Sequence, residues 1–207
     1  MRIIAMSQAG KLKGGNSMKI VCLKGSPRRA GNSAAIADRF LASAASLGAE
    51  TRVFELNRLN YRGCQGCYAC KKKLDRCILE DDLTTVLAAV AEADTVVLAT
   101  PVYYGDISGQ LKCFMDRTFS YLVPDYITNP NPCRLAAGKK LVFIITQGQP
   151  DAELFADIYP RYDKFLKWYG FAESHLIRAC GIGPASVDRV PEKYLKQADE
   201  LAQQLLA

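Results

Sequence analysis

No stretch of this chain stays apolar for long. Runs such as Val96–Leu98 and Leu141–Ile145 fall far short of the roughly 20 consecutive apolar residues that a membrane-spanning helix needs, so no membrane span is expected. The first seventeen residues, Met1–Ser17, have neither an apolar core nor a small-residue cleavage site, which argues against a secretory signal. Rich in Gly, Lys and Ser, they read as a disordered leader, with Met18 the better natural start. A strong charge of one sign is also missing. Arg2, Lys11 and Lys13 contribute three of the +6 formal charges, leaving +3 for the remainder. So small a bias suits anionic small molecules or an acidic protein partner and excludes the dense basic stripe of a nucleic-acid binder. Histidine occurs once, at His175 on a predicted strand, where it reads as structural. With a single histidine, no Ser, His, Asp arrangement for nucleophilic catalysis is evident.

What is present is an alternation. At 207 residues, 49% of them hydrophobic, the chain can bury the core of one domain, and residues 18–207 are expected to form it. Apolar strand-like runs at Lys19–Leu23, Thr51–Glu55, Thr95–Thr100, Lys140–Thr146 and Glu173–Cys180 are separated by helical periodicities. Those helices are expected over Ser33–Leu47, from a cap at Asp81 or Asp82 to about Ala93, and over Leu111–Tyr121, Ala152–Tyr169 and Pro191–Leu206. Leu122–Gly138, with three of the nine prolines, reads as a long loop. Parallel neighbours require a crossover, so strands alternating with helices predict an α/β fold: a doubly wound parallel sheet of about five strands with helices on both faces.

In such sheets ligands bind outside the carboxyl ends of the strands, where the strand order reverses. After the first strand come Gly25, Ser26, Pro27, Arg28, Arg29, Ala30, Gly31, Asn32 and Ser33, immediately before a helix. Hydroxyls, an amide and guanidinium groups at a helix N-terminus suit a phosphate. The competing reading is a helix capped by Asn32 or Ser33 with no ligand. Neither the GxGxxG fingerprint of dinucleotide folds nor the GxxxxGK[ST] of P-loop proteins occurs at this place. After the third strand, Pro101–Gln110 is rich in aromatics and glycine, as a flat ring with a polar edge would require. The competing reading there is a packing or dimer contact.

SPRRAGNS closely resembles the phosphate loop of the NADPH-dependent FMN reductase-like branch of the flavodoxin superfamily, and PVYYGDISGQLKCFMDR resembles the same family's flavin loop. The resemblance implies a flavodoxin-like fold and FMN. It assigns Ser26, Arg28, Asn32 and Ser33 to the phosphate, Pro101, Val102, Tyr103, Tyr104 and Gly105 to the ring, and Thr146, Gln147 and Gly148 to the ring's polar edge. Ordinary turn chemistry is the alternative for the last three. Asp116 and Arg117 are expected to hold the flavin loop through an ion pair.

Eight cysteines are present. Without a secretory signal a cytoplasmic location is expected, and disulfides are the weaker reading. Cys22 and Cys180 lie in or at the end of strands and read as buried, inert thiols. Cys64, Cys67, Cys70 and Cys77 crowd one loop at about 61–80, placing four soft thiolate ligands together. Their spacing is similar to that of the iron-sulfur flavoproteins of the same superfamily, which carry a [4Fe-4S] cluster, and differs from the bacterial ferredoxin run. A zinc-filled or vacant loop is the alternative. Lys71, Lys72, Lys73 and Arg76, inside this loop, could offset cluster charge or steer an acidic donor, although a solvated turn is the plainer reading.

The expectation is therefore an FMN-dependent oxidoreductase that passes electrons from NAD(P)H or a reduced ferredoxin-like carrier to a quinone, a free flavin or a protein partner. The flavin carries the chemistry, with no obligatory side-chain acid. A homodimer or homotetramer is implied by the resemblance. Two rivals remain: an electron-transfer carrier without a small-molecule substrate of its own, and a metal- or redox-sensing interaction protein built on the four cysteines.

Overall fold

A computed structural model describes residues 17–183 and 190–207; residues 1–16 of the expected leader lie outside them. Five parallel strands, β1 (Lys19–Lys24), β2 (Glu50–Glu55), β3 (Thr95–Tyr103), β5 (Lys139–Thr146) and β6 (Phe171–Ala179), form one sheet in the order β2-β1-β3-β5-β6. A two-residue strand, β4 (Asp106–Ile107), pairs antiparallel with the end of β3. The chain runs from β1 outward to β2 and then returns to β3, so the order reverses between β1 and β3, as the flavodoxin-like expectation requires.

Side chains alternate across the sheet with period two, and each face has its own core. On one face Ile20, Cys22, Val97, Val142 and Ile144 pack under α1 (Asn32–Ser46) and α6 (Glu192–Leu206). On the other, Val21, Leu23, Val96, Leu98 and Phe143 meet α3 (Asp82–Glu92), α4 (Gly109–Arg117) and α5 (Ile158–Trp168). A single turn of helix, α2 (Ala69–Lys72), lies within the cysteine segment. None of the helices in the described residues is long and apolar enough to cross a membrane.

Three boundaries differ from expectation for definable reasons. The helix expected over Ala152–Tyr169 begins only at Ile158. Pro160 lacks an N–H and is tolerated in the first turn, so it fixes the start of α5 nearby and leaves 152–157 as turns. The expected loop at 101–110 is partly a hairpin. Strand β3 continues to Tyr103, and Tyr104 (φ 51°) and Gly105 (φ 77°) form the turn back to β4. Positive φ at both central residues is what a two-residue hairpin of matched twist demands. Helix α4 stops at Arg117, and Thr118–Tyr121 tightens into a 3₁₀ turn.

Candidate functional site

The loop after β1 is fixed by close approach. Gly25 donates its N–H to the Ala99 carbonyl (2.8 Å), and a Cβ there would lie 2.7 Å from Ser108 Oγ and 2.9 Å from Leu111 Cβ. A Cβ at Gly31 would meet Ser26 Oγ at 2.9 Å. Ser26 Oγ accepts from the Arg28 N–H (3.1 Å). Helix α1 follows, but Gly31 is its N-cap in place of the expected Asn32 or Ser33, and no side chain caps it. Asn32 and Ser33 are instead the first helical residues, both buried. Asn32 Nδ2 donates to the Ile182 carbonyl (3.3 Å), whereas its buried Oδ1 has no partner within the protein. Arg28 and Arg29 are exposed above this helix end, and Glu55 takes Arg29 (3.6 Å) and Arg58 (2.7 Å) on the β2 side.

Strand register brings the other two loops alongside. Lys24 lies opposite Ala99, and Pro101 opposite Thr146, so the segments after β1, β3 and β5 emerge side by side at one edge of the sheet. Pro101 and Thr146 are buried, Tyr103 is half-exposed, and Tyr104 at the hairpin tip is fully exposed. Ser108 ties two loops together: its buried Oγ donates to the Gly25 carbonyl (2.7 Å), and its N–H donates to Thr100 Oγ1 (3.0 Å). Tyr162 and Arg161 hold the hairpin through Asp106 (3.1 and 3.4 Å).

Gln147 has a different place from the one its residue type suggests. Its side chain is buried, donating to the carbonyls of Gln149 (3.1 Å) and Asp151 (2.9 Å) and accepting from Arg178 (2.8 Å). Its backbone bonds to Ala179 and Ile182. It therefore shapes the 149–154 loop, while exposed Gly148 faces the edge. Beyond that loop Phe155, at φ 67°, lays its ring against Gly105, where a Cβ would come within 3.4 Å.

Cys64, Cys67, Cys70 and Cys77 all line one pocket of about 370 Å³, to which Arg117 and Phe119 also contribute. Among the described residues no three Cys, His, Asp or Glu side chains converge as ligands of one metal ion. The expected Asp116–Arg117 ion pair does not form. Helical geometry turns the two side chains apart: Asp116 takes Lys112 on the surface, and Arg117, buried, crosses to Asp81 (2.8 Å). Its other bonds reach the Arg62 (2.8 Å) and Leu79 (3.2 Å) carbonyls, so it holds both ends of the cysteine segment. Burial disfavours the charged Asp81 carboxylate, but bonds from Arg117 and from the Arg62 and Leu83 N–H groups outweigh it and lower its pKa. Asp81 also caps α3 in a capping box with Thr84.

The basic run divides. Lys72, Lys73 and Arg76 are exposed, as a solvated turn requires, but Lys71 is tucked over the Phe119 ring at 4.1 Å. It donates to the Leu122 carbonyl (2.8 Å) and to Cys70 Sγ (3.4 Å). Partial burial lowers its pKa against the opposing pull of Cys70. Cys22 is buried, which pushes its thiol up to about 12, whereas Cys180 is only half-buried and departs from expectation. His175 pairs with Glu173 (2.6 Å) on β6, away from these loops. Nothing in the sequence marks Ser108 or Phe155 individually, and Lys71 carries a signal only through its place beside a cysteine.

The NADPH-dependent FMN reductase family profile matches residues 18–157. One iron-sulfur flavoprotein of Methanocaldococcus jannaschii is 38% identical over 101 residues, covering 49% of this chain and 52% of the relative. A second from that organism is 40% identical over 100 residues, covering 48% and 50%. The matched region thus spans about half the length of each relative. An NAD(P)H:quinone oxidoreductase structure from Methanothermobacter marburgensis superposes with a TM-score of 0.73 at 21% identity, over 91% of this chain and 96% of the other.

Proposed function

Because this chain belongs to the NADPH-dependent FMN reductase family, we propose that residues 18–207 form one FMN-binding domain. It takes electrons from NAD(P)H or a reduced carrier and delivers them to a quinone, a free flavin or a protein partner. One observation carries the reading. At the β1–β3 reversal an uncapped 15-residue helix begins with a buried asparagine whose Oδ1 lacks a partner. Buried polar groups are rarely left unpaired, and a flavin's ribityl hydroxyls are donors that would satisfy this one.

The residues fit the rest of the molecule in a stated division. Ser26, Arg28, Ser33 and the backbone N–H of Asn32 would hold the phosphate, where the helix dipole and charged hydrogen bonds favour a dianion, leaving the Asn32 Oδ1 for a ribityl hydroxyl. Pro101–Gly105 would wall the ring, and Thr146–Gly148 would meet its polar edge, with Gln147 acting through the loop it shapes. When bound, FMN supplies hydride acceptance and one- or two-electron transfer. The chain binds it, orients it against the donor and keeps its phosphate charge neutralised. Oxidation of one NAD(P)H releases a hydride, and reduction of one quinone consumes two electrons and two protons.

Purified protein is expected to be yellow with flavin absorbance and to oxidise NADH or NADPH in the presence of a quinone. Colourless protein that takes up no added FMN would overturn the reading. Flavin-bound protein with no turnover from either nucleotide would instead favour the electron carrier. Light scattering is expected to show a homodimer or homotetramer.

The pocket favours one addition, a [4Fe-4S] cluster on Cys64, Cys67, Cys70 and Cys77. The similarity to iron-sulfur flavoproteins supports the same choice. Anaerobic isolation followed by iron, sulfide and zinc analysis tests it; zinc alone would overturn it.

A further inference from the structure

Arg117 is buried to 1% exposure, yet it forms part of the wall of the four-cysteine pocket. Four contacts employ its terminal nitrogens: Nη1 donates to the Arg62 carbonyl and Asp81 Oδ2, and Nη2 to the Leu79 carbonyl and Asp81 Oδ1. Its Nε–H is left over, buried and without a partner in the protein. A buried guanidinium donor in this state asks for an acceptor, and Arg117 lines the pocket that the four cysteines share. Cys77 lies on the same pocket. Cys77 is near enough to the guanidinium to act on it.

A second cation stands at another sulfur. Lys71 Nζ approaches Cys70 Sγ at 3.4 Å and is fixed there by the Phe119 and Leu122 carbonyls. Its neighbours Lys72 and Lys73 point to solvent. Two of the four sulfurs therefore each have a held cation beside them.

We propose that Arg117 and Lys71 are positioning residues for the sulfur centre: the free Nε–H of Arg117 is reserved for the sulfur of Cys77, and the ammonium of Lys71 serves Cys70. This rests on the reading that the four cysteines ligate a cluster. Hydrogen bonds to ligand sulfurs and nearby positive charge stabilise the more negative, reduced form, so both residues raise the reduction potential. The couple is a one-electron gain with no bond made or broken, and dithionite supplies the electron in the titration.

The test uses the full chain isolated anaerobically, with Lys71→Gln, Arg117→Gln and Arg117→Lys. Iron and sulfide are counted first, and the cluster midpoint potential is then read by EPR-monitored titration. Lys71→Gln is expected to shift the reduction equilibrium about tenfold toward the oxidised form, ~59 mV for a one-electron couple. Arg117→Gln is expected to shift it further, with Arg117→Lys in between and the flavin potential unmoved. Because Arg117 also supports the fold, Lys71→Gln carries the test if the Arg117 variants do not accumulate. Full iron and sulfide with potentials indifferent to the substitutions would overturn this inference alone. Wild-type protein without iron and sulfide would overturn the cluster reading beneath it.

Discussion

The edge proposed to bind flavin and the cysteine pocket are adjacent but built by different means. The flavin edge is made of backbone: strand register sets Lys24 beside Ala99 and Pro101 beside Thr146, and two glycines let the loops close on one another. Each ladder bond there is shared with a whole sheet. The cysteine pocket hangs on a segment with one turn of helix, and three cationic side chains hold it. Arg117 reaches Arg62, Leu79 and Asp81; Arg134 reaches the Ser120 (2.9 Å) and Cys70 (3.4 Å) carbonyls; Lys71 reaches Leu122. The contrast teaches where each site is fragile. A sheet edge tolerates the loss of one side chain, whereas a loop held by one buried and two partly buried charges does not. Helix α4 joins the two, with Ser108 at its start bonded to Gly25 and Arg117 at its end gripping the cysteine segment.

Removing Arg117 should break the pocket most severely. Arg117→Met leaves Asp81 without its buried partner, and a loss of about 3 kcal/mol is expected from urea denaturation of the metal-free protein. Unchanged stability would show that the segment is held by something else. On the flavin side, replacing the exposed Arg28, as Arg28→Ala, should remove a charged bond to the ligand worth about 1.5–3 kcal/mol, weakening FMN binding by about tenfold or more, with thermal stability nearly constant. A fall in stability equal to the fall in affinity would erase the distinction between the two regions. Acid should also separate them. The Asp81 carboxyl sits below its ordinary pKa, so its stabilisation is full above the unfolded value of about 3.9 and is lost as pH falls through the lower folded value. Asp81→Asn should therefore flatten the acid limb of the stability profile below about pH 4, and an unaltered limb would contradict the assignment. The smallest effect belongs to Arg117's neighbour: Asp116→Ala breaks only an exposed pair with Lys112 and should change stability by less than about 0.5 kcal/mol.

The same contrast separates what the amino-acid sequence discloses from what only folding creates. Alternating apolar runs and helical periodicities are local signals, so the parallel sheet, its strands and the loops at their carboxyl ends are legible in it. Tyr104 and Gly105 hide a hairpin, because a tyrosine at positive φ is a choice the surrounding structure makes, and its sequence carries no mark of it. Pro160 does mark the start of α5 through its missing N–H, a local signal that outweighs the apolar periodicity reaching back to Ala152. The partner of Arg117 is not legible. Asp81 is 36 residues distant, and only the packing of α4 against the cysteine segment brings them together. Gln147 looks like a ligand residue by type, and its inward hydrogen bonds appear only once the 149–154 loop is folded.

A phosphate held at the start of α1 would make the protein tell FMN from riboflavin. Titrating the flavin-free protein with FMN and with riboflavin, followed by quenching of flavin fluorescence, tests this directly. FMN should bind at least about tenfold more tightly, since charged hydrogen bonds to the phosphate contribute about 1.5–3 kcal/mol each. Equal affinity for the two flavins would contradict it.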